Sequence, residues 1–419
     1  MAHRYRLTPT PEQERMLLEH CAHARYVWNL AVEQYSWWRP GRSKAPGYAE
    51  QSRQLTEARR EFDWLRRGVY SVQQQALRDF FKAMAAFLDP KNPARKPKFR
   101  KAGRSDGFRI VGNRRLGEGG AWEVRRLSRH VGEVRIPKVG WVRFRWSRPV
   151  SDDAKSFRIT LDRSGRWHVS FAGIPDYPAR QPTGAVVGID RGVRTALVTS
   201  DGQHYRAPRI SDRDTARYLA LARRMTRQQK DSSKRGKTRQ AMARIMAKVT
   251  DRRRDWGEKV STRLVADYDV IVFEKLNTHG MVRRPKPVPD PDQPGAFLPN
   301  KAKAKSGLNR GILGSCWGYL ATRCEQKAGA SGAEVVYVDP RFSSQECHVC
   351  GHIARESRES QAVFRCANCG HSDHADTNAA KNVLARGLVS AGLRAGPGAR
   401  GVRPRKTAQA AAGTIQAAA

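Results

Sequence analysis

Along this chain the spacing of hydrophobic and polar positions changes several times, and each change marks a different kind of element. Tyr5 to Leu7 reads as a short strand. Thr10-Pro11-Glu12-Gln13 then carries three agreeing helix-start signals: Thr10 can cap, Pro11 suits the first helical position, and Gln13 can close a capping box. Met16, Leu17, Tyr26, Val27, Leu30 and Ala31 continue as an amphipathic stripe. A second helix is expected from about Val69 to Leu88 on Val72, Ala76, Leu77, Phe80, Phe81 and Met84, which makes a helical hairpin. Residues 89–104, DPKNPARKPKFRKAGR, hold too much proline for a helix, and the basic run suggests a loop that meets phosphate. The period then becomes two. Phe108–Ile110, Trp122–Val124, Val134–Ile136, Val142–Trp146, Phe157–Leu161 and Trp167–Phe171 alternate apolar with mostly polar or basic residues. Short strands at this spacing predict a small β-barrel. Residues 174–183 read as a linker.

A new domain begins near Gly184. Ala185–Ile189 is continuously apolar, hence a strand buried on both faces, and it ends in Asp190. Thr195–Val198 returns, Asp201-Gly202 turns, and His204-Tyr205 starts a third strand, a meander whose first strand is central. Residues 211–266 are helical and strongly basic, with Met242, Ile245, Met246 and Val249 as the buried stripe and Gly236 as the expected break between two helices. Asp269–Phe273 is the next buried strand and ends in Glu274. Residues 282–306 lack periodicity and predict a mobile loop, or one ordered only by a ligand. One helix is expected from Leu308 to Ala330, a fifth strand over Glu334–Val338, and a last helix opened by Asp376; beyond Gly387 disorder is expected. Three strands, helix, strand, helix, strand, insertion, helix is the order of a ribonuclease H-like fold. The predicted class is therefore α/β, preceded by a β-barrel and a helical lobe.

Charge narrows the function. The 419 residues hold 79 Lys+Arg against 39 Asp+Glu, a net +40. Such an excess would repel itself without a polyanion, so nucleic acid is the expected partner. Candidate contacts are Arg25, Arg78 and Lys82 on the two N-terminal helices, Arg95, Lys96, Lys98 and Arg100 in the proline-rich loop, and Arg224, Arg227 and Arg235 in the basic helical stretch. For each of these, simple solvation of a helix face is the competing explanation. A membrane partner is not expected, because no apolar run approaches the roughly 20 residues of a span. The start, MAHRYRLTPTPEQ, has no apolar segment of a secretory signal, so a reducing cytoplasm is expected.

Two constellations carry chemistry. Cys347/Cys350 and Cys366/Cys369 are Cys-x-x-Cys pairs separated by fifteen residues, the spacing of a zinc ribbon. Gly351 and Gly370 follow each pair, where a tight knuckle turn disfavours a Cβ. The alternative, a pair of disulfides, belongs to secreted chains. The other three cysteines, Cys21, Cys316 and Cys324, fall in apolar helical patterns and are expected in cores. Asp190, Glu274 and Asp376 end or open elements that a ribonuclease H-like order brings to one sheet edge. Three carboxylates there suit a pair of Mg²⁺ ions for phosphodiester hydrolysis. Each alone could be an ordinary strand end or, for Asp376, a helix cap; Asp373 competes for the third role.

Taken together, YRLTPTPEQ, ARKPKFR, GIDRGVRTALVTSDG, VFEKLNTHGM, LNRGILGSCWGYL, VDPRFSSQECHVCGH, FRCANCG and HADTNAAKNV resemble the TnpB (OrfB) family of bacterial insertion sequences, relatives of the type V CRISPR effectors. The resemblance covers nearly all of residues 4–386. It implies an RNA-guided, Mg²⁺-dependent DNA endonuclease with Asp190, Glu274 and Asp376 as RuvC-type carboxylates, which demotes Asp373. It also implies zinc on the four ribbon cysteines, and guide RNA and target DNA as partners. The implied organisation is a wedge-like barrel over 1–10 and 101–178 and a helical recognition lobe over 11–100. The nuclease domain would span 184–340 and 371–387, the ribbon 341–370, and a tail 388–419, in a bacterial, nucleoid-associated protein. Two departures stand out: Lys275 after Glu274, where relatives more often carry Asp or Asn, and a longer 282–306 loop. A guided repressor without cleavage, a transposase that joins DNA ends and a general basic single-strand binder are the other classes compatible with the charge. No motif sets the oligomeric state.

Overall fold

The computed structural model describes residues 2–38, 41, 45–104, 106–112, 122–173, 180–293, 295–390 and 392. Most of the expected linker (174–179) and nearly all of the expected tail lie outside them. The chain divides into two units, one of residues 1–176 and 216–247, the other of 177–215 and 248–419.

Unit 1 opens with strand β1 (Ala2–Arg6) and helix α1 (Pro11–Trp37). The capping box forms: the Gln13 amide donates to Thr10 Oγ1 and the Thr10 amide to Gln13 Oε1. The expected hairpin of two helices is in fact four, because α2 (Tyr48–Glu61) and α3 (Asp63–Arg67) precede α4 (Tyr70–Leu88). Only Gln51 and Leu55 of α2 are buried, so its sequence carries almost no stripe. Arg59 holds the α3 end instead, donating to the carbonyls of Leu65 (2.7 Å) and Gly68 (3.2 Å).

The six expected strands are β2 (Gly107–Val111), β3 (Val124–Arg126), β4 (Val131–Ile136), β5 (Gly140–Arg145), β6 (Ser156–Leu161) and β7 (Trp167–Ala172). They form two sheets, β1-β7-β6-β2 and β3-β4-β5, linked by a bridge between Leu7 and Phe144. One core serves both sheets, with Tyr5 edge-on to Phe144 and Phe171 and with Trp122 stacked on Phe171.

Unit 2 centres on a five-stranded sheet. In chain order come β8 (Val186–Asp190), β9 (Leu197–Thr199), β10 (His204–Tyr205), helices α5 (Asp212–Thr226) and α6 (Ser233–Asp267), whose residues 216–247 belong to unit 1, then β11 (Val270–Glu274) and α7 (Thr278–Met281). Then follow β12 (Val288–Pro289), β13 (Phe297–Leu298), α8 (Ala302–Gly314), α9 (Trp317–Ser331), β14 (Glu334–Val338), β15 (Val363–Arg365), β16 (Ser372–His374) and α10 (Ala375–Ser390). The sheet order is β10-β9-β8-β11-β14, with β8, β11 and β14 parallel and β8 central. One face packs Val187, Ile189 and Phe273 against Leu264 of α6 and Leu320 and Cys324 of α9. The other packs Val272 against Val383 of α10. There α10 lies close on the sheet: a Cβ on Gly188 would collide with the backbone of Ala380 and Leu384, and one on Gly387 with the Val272 side chain.

Several expectations need correction. The break between the basic helices falls at 227–232, and Gly236 lies inside α6, whose start is held by the Arg235 amide donating to Ser232 Oγ. Residues 216–247 cluster with unit 1. The single helix over 308–330 is two, because Cys316 adopts a left-handed backbone (φ 60°). That kink lets Trp317 Nε1 donate to the carbonyls of Ala196 (3.1 Å) and Gly192 (3.2 Å). Within 282–306 the described residues include one short pairing, β12 with β13, and the start of α8 at Ala302. Finally, α10 extends three residues past Gly387, to Ser390.

Candidate active site and cysteine ribbon

Strand direction places the first two carboxylates. In parallel neighbours the C-terminal ends share one edge, and the register pairs Phe273 of β11 with Ile189 of β8. Glu274 and Asp190 are the next residue of each strand, so both stand at that edge. The close seat of α10 on Gly188 brings the helix N-terminus, with Asp376 as its second residue, toward the same edge.

The electrostatics register this convergence. Burial, then the negative charges of Glu274 and Asp376, push the Asp190 carboxyl up to about 8, with Arg358 opposing. Burial also raises Glu274, which is 4% exposed, while a 2.8 Å hydrogen bond from Ser343 Oγ to its Oε1 opposes the shift. Negative charge concentrated at a site that disfavours it is what a divalent cation relieves, so the donor set fits Mg²⁺. Among the described residues the three carboxylates do not close into a cluster with all ligand atoms within 4.8 Å. Instead Arg358, which lies between the two cysteine pairs, binds Asp376 Oδ1 at 2.8 Å, and the Arg191 guanidinium donates to the Glu274 carbonyl. Sequence reasoning missed Arg358, Arg191 and Ser343. Arg191 had a signal, its place beside Asp190; for the other two the contact is purely tertiary. Asp373, the competitor, is engaged elsewhere, with Lys381 Nζ at 2.7 Å. The Lys275 side chain is exposed.

The ribbon is built differently. Gly351 and Gly370 take the left-handed conformation (φ 74° and 70°), and each amide donates back to the first cysteine of its pair. This turns Cys347, Cys350, Cys366 and Cys369 inward until their sulfurs all lie within 4.8 Å of one another. Cys347–Cys369 and Cys350–Cys366 are 3.7 and 3.6 Å apart. That is far beyond the about 2.05 Å of a disulfide and close to the about 3.8 Å edge of a Zn–S₄ tetrahedron with about 2.3 Å bonds. Phe364 and Ala375 pack beneath the buried Cys347 and Cys366. The four cysteines therefore fit zinc.

The candidate nucleic-acid residues separate into two groups. Lys82, Arg95, Lys96, Lys98, Arg224 and Arg227 are exposed. The others make internal bonds: Arg25 with Asp106 (2.6 Å), Arg78, itself also exposed, with the Tyr48 hydroxyl (2.8 Å), and Arg235 with the Gln228 carbonyl (2.8 Å). Arg100 lies over the Trp28 ring at 3.5 Å, and burial brings its pKa down to about 10. No helix of the described residues is long and apolar enough to cross a membrane.

Three family models match the chain: a "Helix-turn-helix domain" of OrfB proteins over residues 1–43, the "Probable transposase" OrfB model over 161–284, and a "Cas12f1-like, TNB domain" over 317–383. The "Putative RNA-guided DNA endonuclease InsQ" of Escherichia coli K12 is 30% identical over 390 residues, covering 92% of this chain and 92% of its own. A "Putative RNA-guided DNA endonuclease" of Streptomyces pristinaespiralis is 30% identical over 413 residues, 97% of this chain and 92% of its own. Among solved structures, a Cas12f1–sgRNA–target DNA complex matches at 14% identity with a TM-score of 0.47, over 89% of this chain and 82% of that one.

Proposed function

The chain belongs to the TnpB (OrfB) family of transposon-encoded RNA-guided nuclease-type proteins, and from that premise we propose that it is an RNA-guided, Mg²⁺-dependent DNA endonuclease. What supports the reading is that β8 and β11 end side by side at Asp190 and Glu274, and that α10, whose second residue is Asp376, seats closely on β8. In this reading unit 2 is a RuvC-like, ribonuclease H-type domain with the ribbon inserted. Unit 1 supplies the wedge-like barrel and the helical recognition lobe. The formal charge of +40 serves guide RNA and target DNA. Base pairing would read the target, and the protein would read backbone shape and a short flanking motif.

Asp190 and Asp376 would hold the metal ions most directly, with Glu274 completing the set. When bound, a Mg²⁺ pair supplies an activated water and stabilisation of the leaving oxygen. This chain's own residues prepare that state. Ser343 fixes one oxygen of Glu274. The Arg191 guanidinium holds the end of β11. Arg358 pairs with Asp376 Oδ1 and would compete with a cation for that oxygen.

The test is to express the protein with its native flanking DNA, sequence the RNA that co-purifies, and add a matching duplex with Mg²⁺ or with EDTA. The expected result is a discrete RNA and guided cleavage that EDTA abolishes. Asp190→Ala should remove cleavage by about a thousandfold or more while RNA binding persists. A discrete RNA without cleavage would replace this reading with a guided binder. Binding to the element's DNA ends that survives ribonuclease would replace it with an end-joining transposase.

A further inference from the structure

Beside the four cysteines lies a second group of metal-competent side chains that the nuclease reading does not use. His348 sits inside the first knuckle, His371 follows the second, and Asp373 lies on β16. One ligand atom from each falls within 4.8 Å of the other two. The two imidazoles meet edge to face, with centroids 4.6 Å apart.

The ligand atoms are prepared. His348 Nδ1 is 3.0 Å from Asn378 Oδ1, an atom that only accepts. The proton is therefore on Nδ1, and Nε2 keeps its lone pair. Asn378 cannot rotate to reverse this, because its Nδ2 donates to the Glu346 carbonyl at 2.7 Å while its Oδ1 also accepts the His348 amide. A buried amide orienting an imidazole is the outer shell that metal-binding histidines use. On the other knuckle, His371 Nε2 is shut off from solvent and has no hydrogen-bond partner. Its nearest carboxylate oxygen, Asp373 Oδ2, is 4.0 Å away, too far for a hydrogen bond. A purely structural His–Asp pair would have closed that gap, since a hidden unsatisfied nitrogen costs about 1–3 kcal/mol. Asp373 is held in place by bonds accepted from Lys381 Nζ and the His374 amide, both at 2.7 Å.

We propose that His348, His371 and Asp373 form a second metal site, for a divalent transition ion of the Zn²⁺ class, with a fourth position open to water. Two imidazoles and one carboxylate select Zn²⁺, Co²⁺ or Ni²⁺ over Mg²⁺. Bonds of about 2.05 Å in a tetrahedron need ligand atoms about 3.3 Å apart, so the three side chains draw together on binding. Lys381 is the competitor that vacates Asp373 Oδ2. The ion ties both knuckles to the strand that leads into Asp376, and this role stands whether or not the protein cleaves DNA.

The test is a Co²⁺ titration of the full-length, metal-stripped protein, with metal analysis of zinc-loaded samples after desalting. The cysteine site reports by its intense thiolate-to-cobalt absorption; the His–His–Asp site adds only weak d–d bands. With Mg²⁺ in excess to occupy the carboxylate edge, two cobalt or zinc ions per chain are expected in the wild type. His371→Ala and His348→Gln should keep the thiolate band and lose one equivalent. Lys381→Ala should tighten the second equivalent. One ion per chain in the wild type, retention of two in both histidine variants, or loss of the thiolate band together with the second equivalent in both variants would each overturn the proposal.

Discussion

The cysteine ribbon and the carboxylate edge belong to the same unit, and both are suited to metal, but they are assembled in opposite ways. The ribbon brings its ligands together through local turns. Two glycine knuckles set four sulfurs at zinc spacing. The carboxylate edge is assembled by topology. Its residues come from β8, β11 and α10, far apart in sequence, and strand register and one close helix–sheet contact bring these elements toward one edge. The ribbon is geometrically ready. The carboxylate edge is crowded with negative charge, and Arg358 occupies Asp376. A structural site is completed by protein ligands alone, so no position stays open once its ion is bound. A site that must open to a phosphodiester is better held short of closure until metal and substrate come together.

Three perturbations bear on that contrast. The largest effect is expected from Cys347→Ser, which removes a buried ligand from a site with few other supports. Metal analysis should show the loss of one zinc equivalent per chain, and proteolysis should cut within 341–370. Unchanged zinc would break the ribbon assignment. Next is Gly188→Ala, which adds a methyl group where α10 has no room. It should lower stability by roughly 2–3 kcal/mol in urea melts and weaken metal binding at the carboxylates. The ribbon's zinc should stay in place, because nothing in the knuckles depends on Gly188. Equal loss at both sites would erase the distinction between local and topological assembly. The smallest effect is expected from Arg358→Gln. Removing this partly buried ion pair should tighten divalent-ion binding at the carboxylates by roughly 2–5-fold, measured by calorimetry. Weaker binding would show that Arg358 supports the site rather than competing for it.

How much of this was legible in the sequence follows the same division. The cysteine pairs, the capping box at Thr10 and the apolar strands ending in Asp190 and Glu274 are local patterns, and each appears in the structure where it was expected. Helices α2 and α3 were missed because tertiary bonds such as those of Arg59, rather than an apolar stripe, hold them. Gly236 was misread because a glycine near a helix start is cheap, with Ser232 supplying the cap. The kink at Cys316 was missed because the left-handed backbone there is compensated by Trp317 reaching two distant carbonyls. Arg25 and Arg235 illustrate a further limit. Composition marks an arginine as available for phosphate, but only the fold reveals that Asp106 or a helix-end carbonyl already holds it.

The account rests on Asp190, Glu274 and Asp376 acting as one metal site. The most direct test is a Mn²⁺ titration of the purified RNA-bound complex, followed by electron paramagnetic resonance, for the wild type and for Asp190→Asn, Glu274→Gln and Asp376→Asn. The account predicts tight Mn²⁺ binding in the wild type and its loss in each of the three variants, with the ribbon's zinc retained throughout. Wild-type Mn²⁺ affinity in any one of them would contradict it.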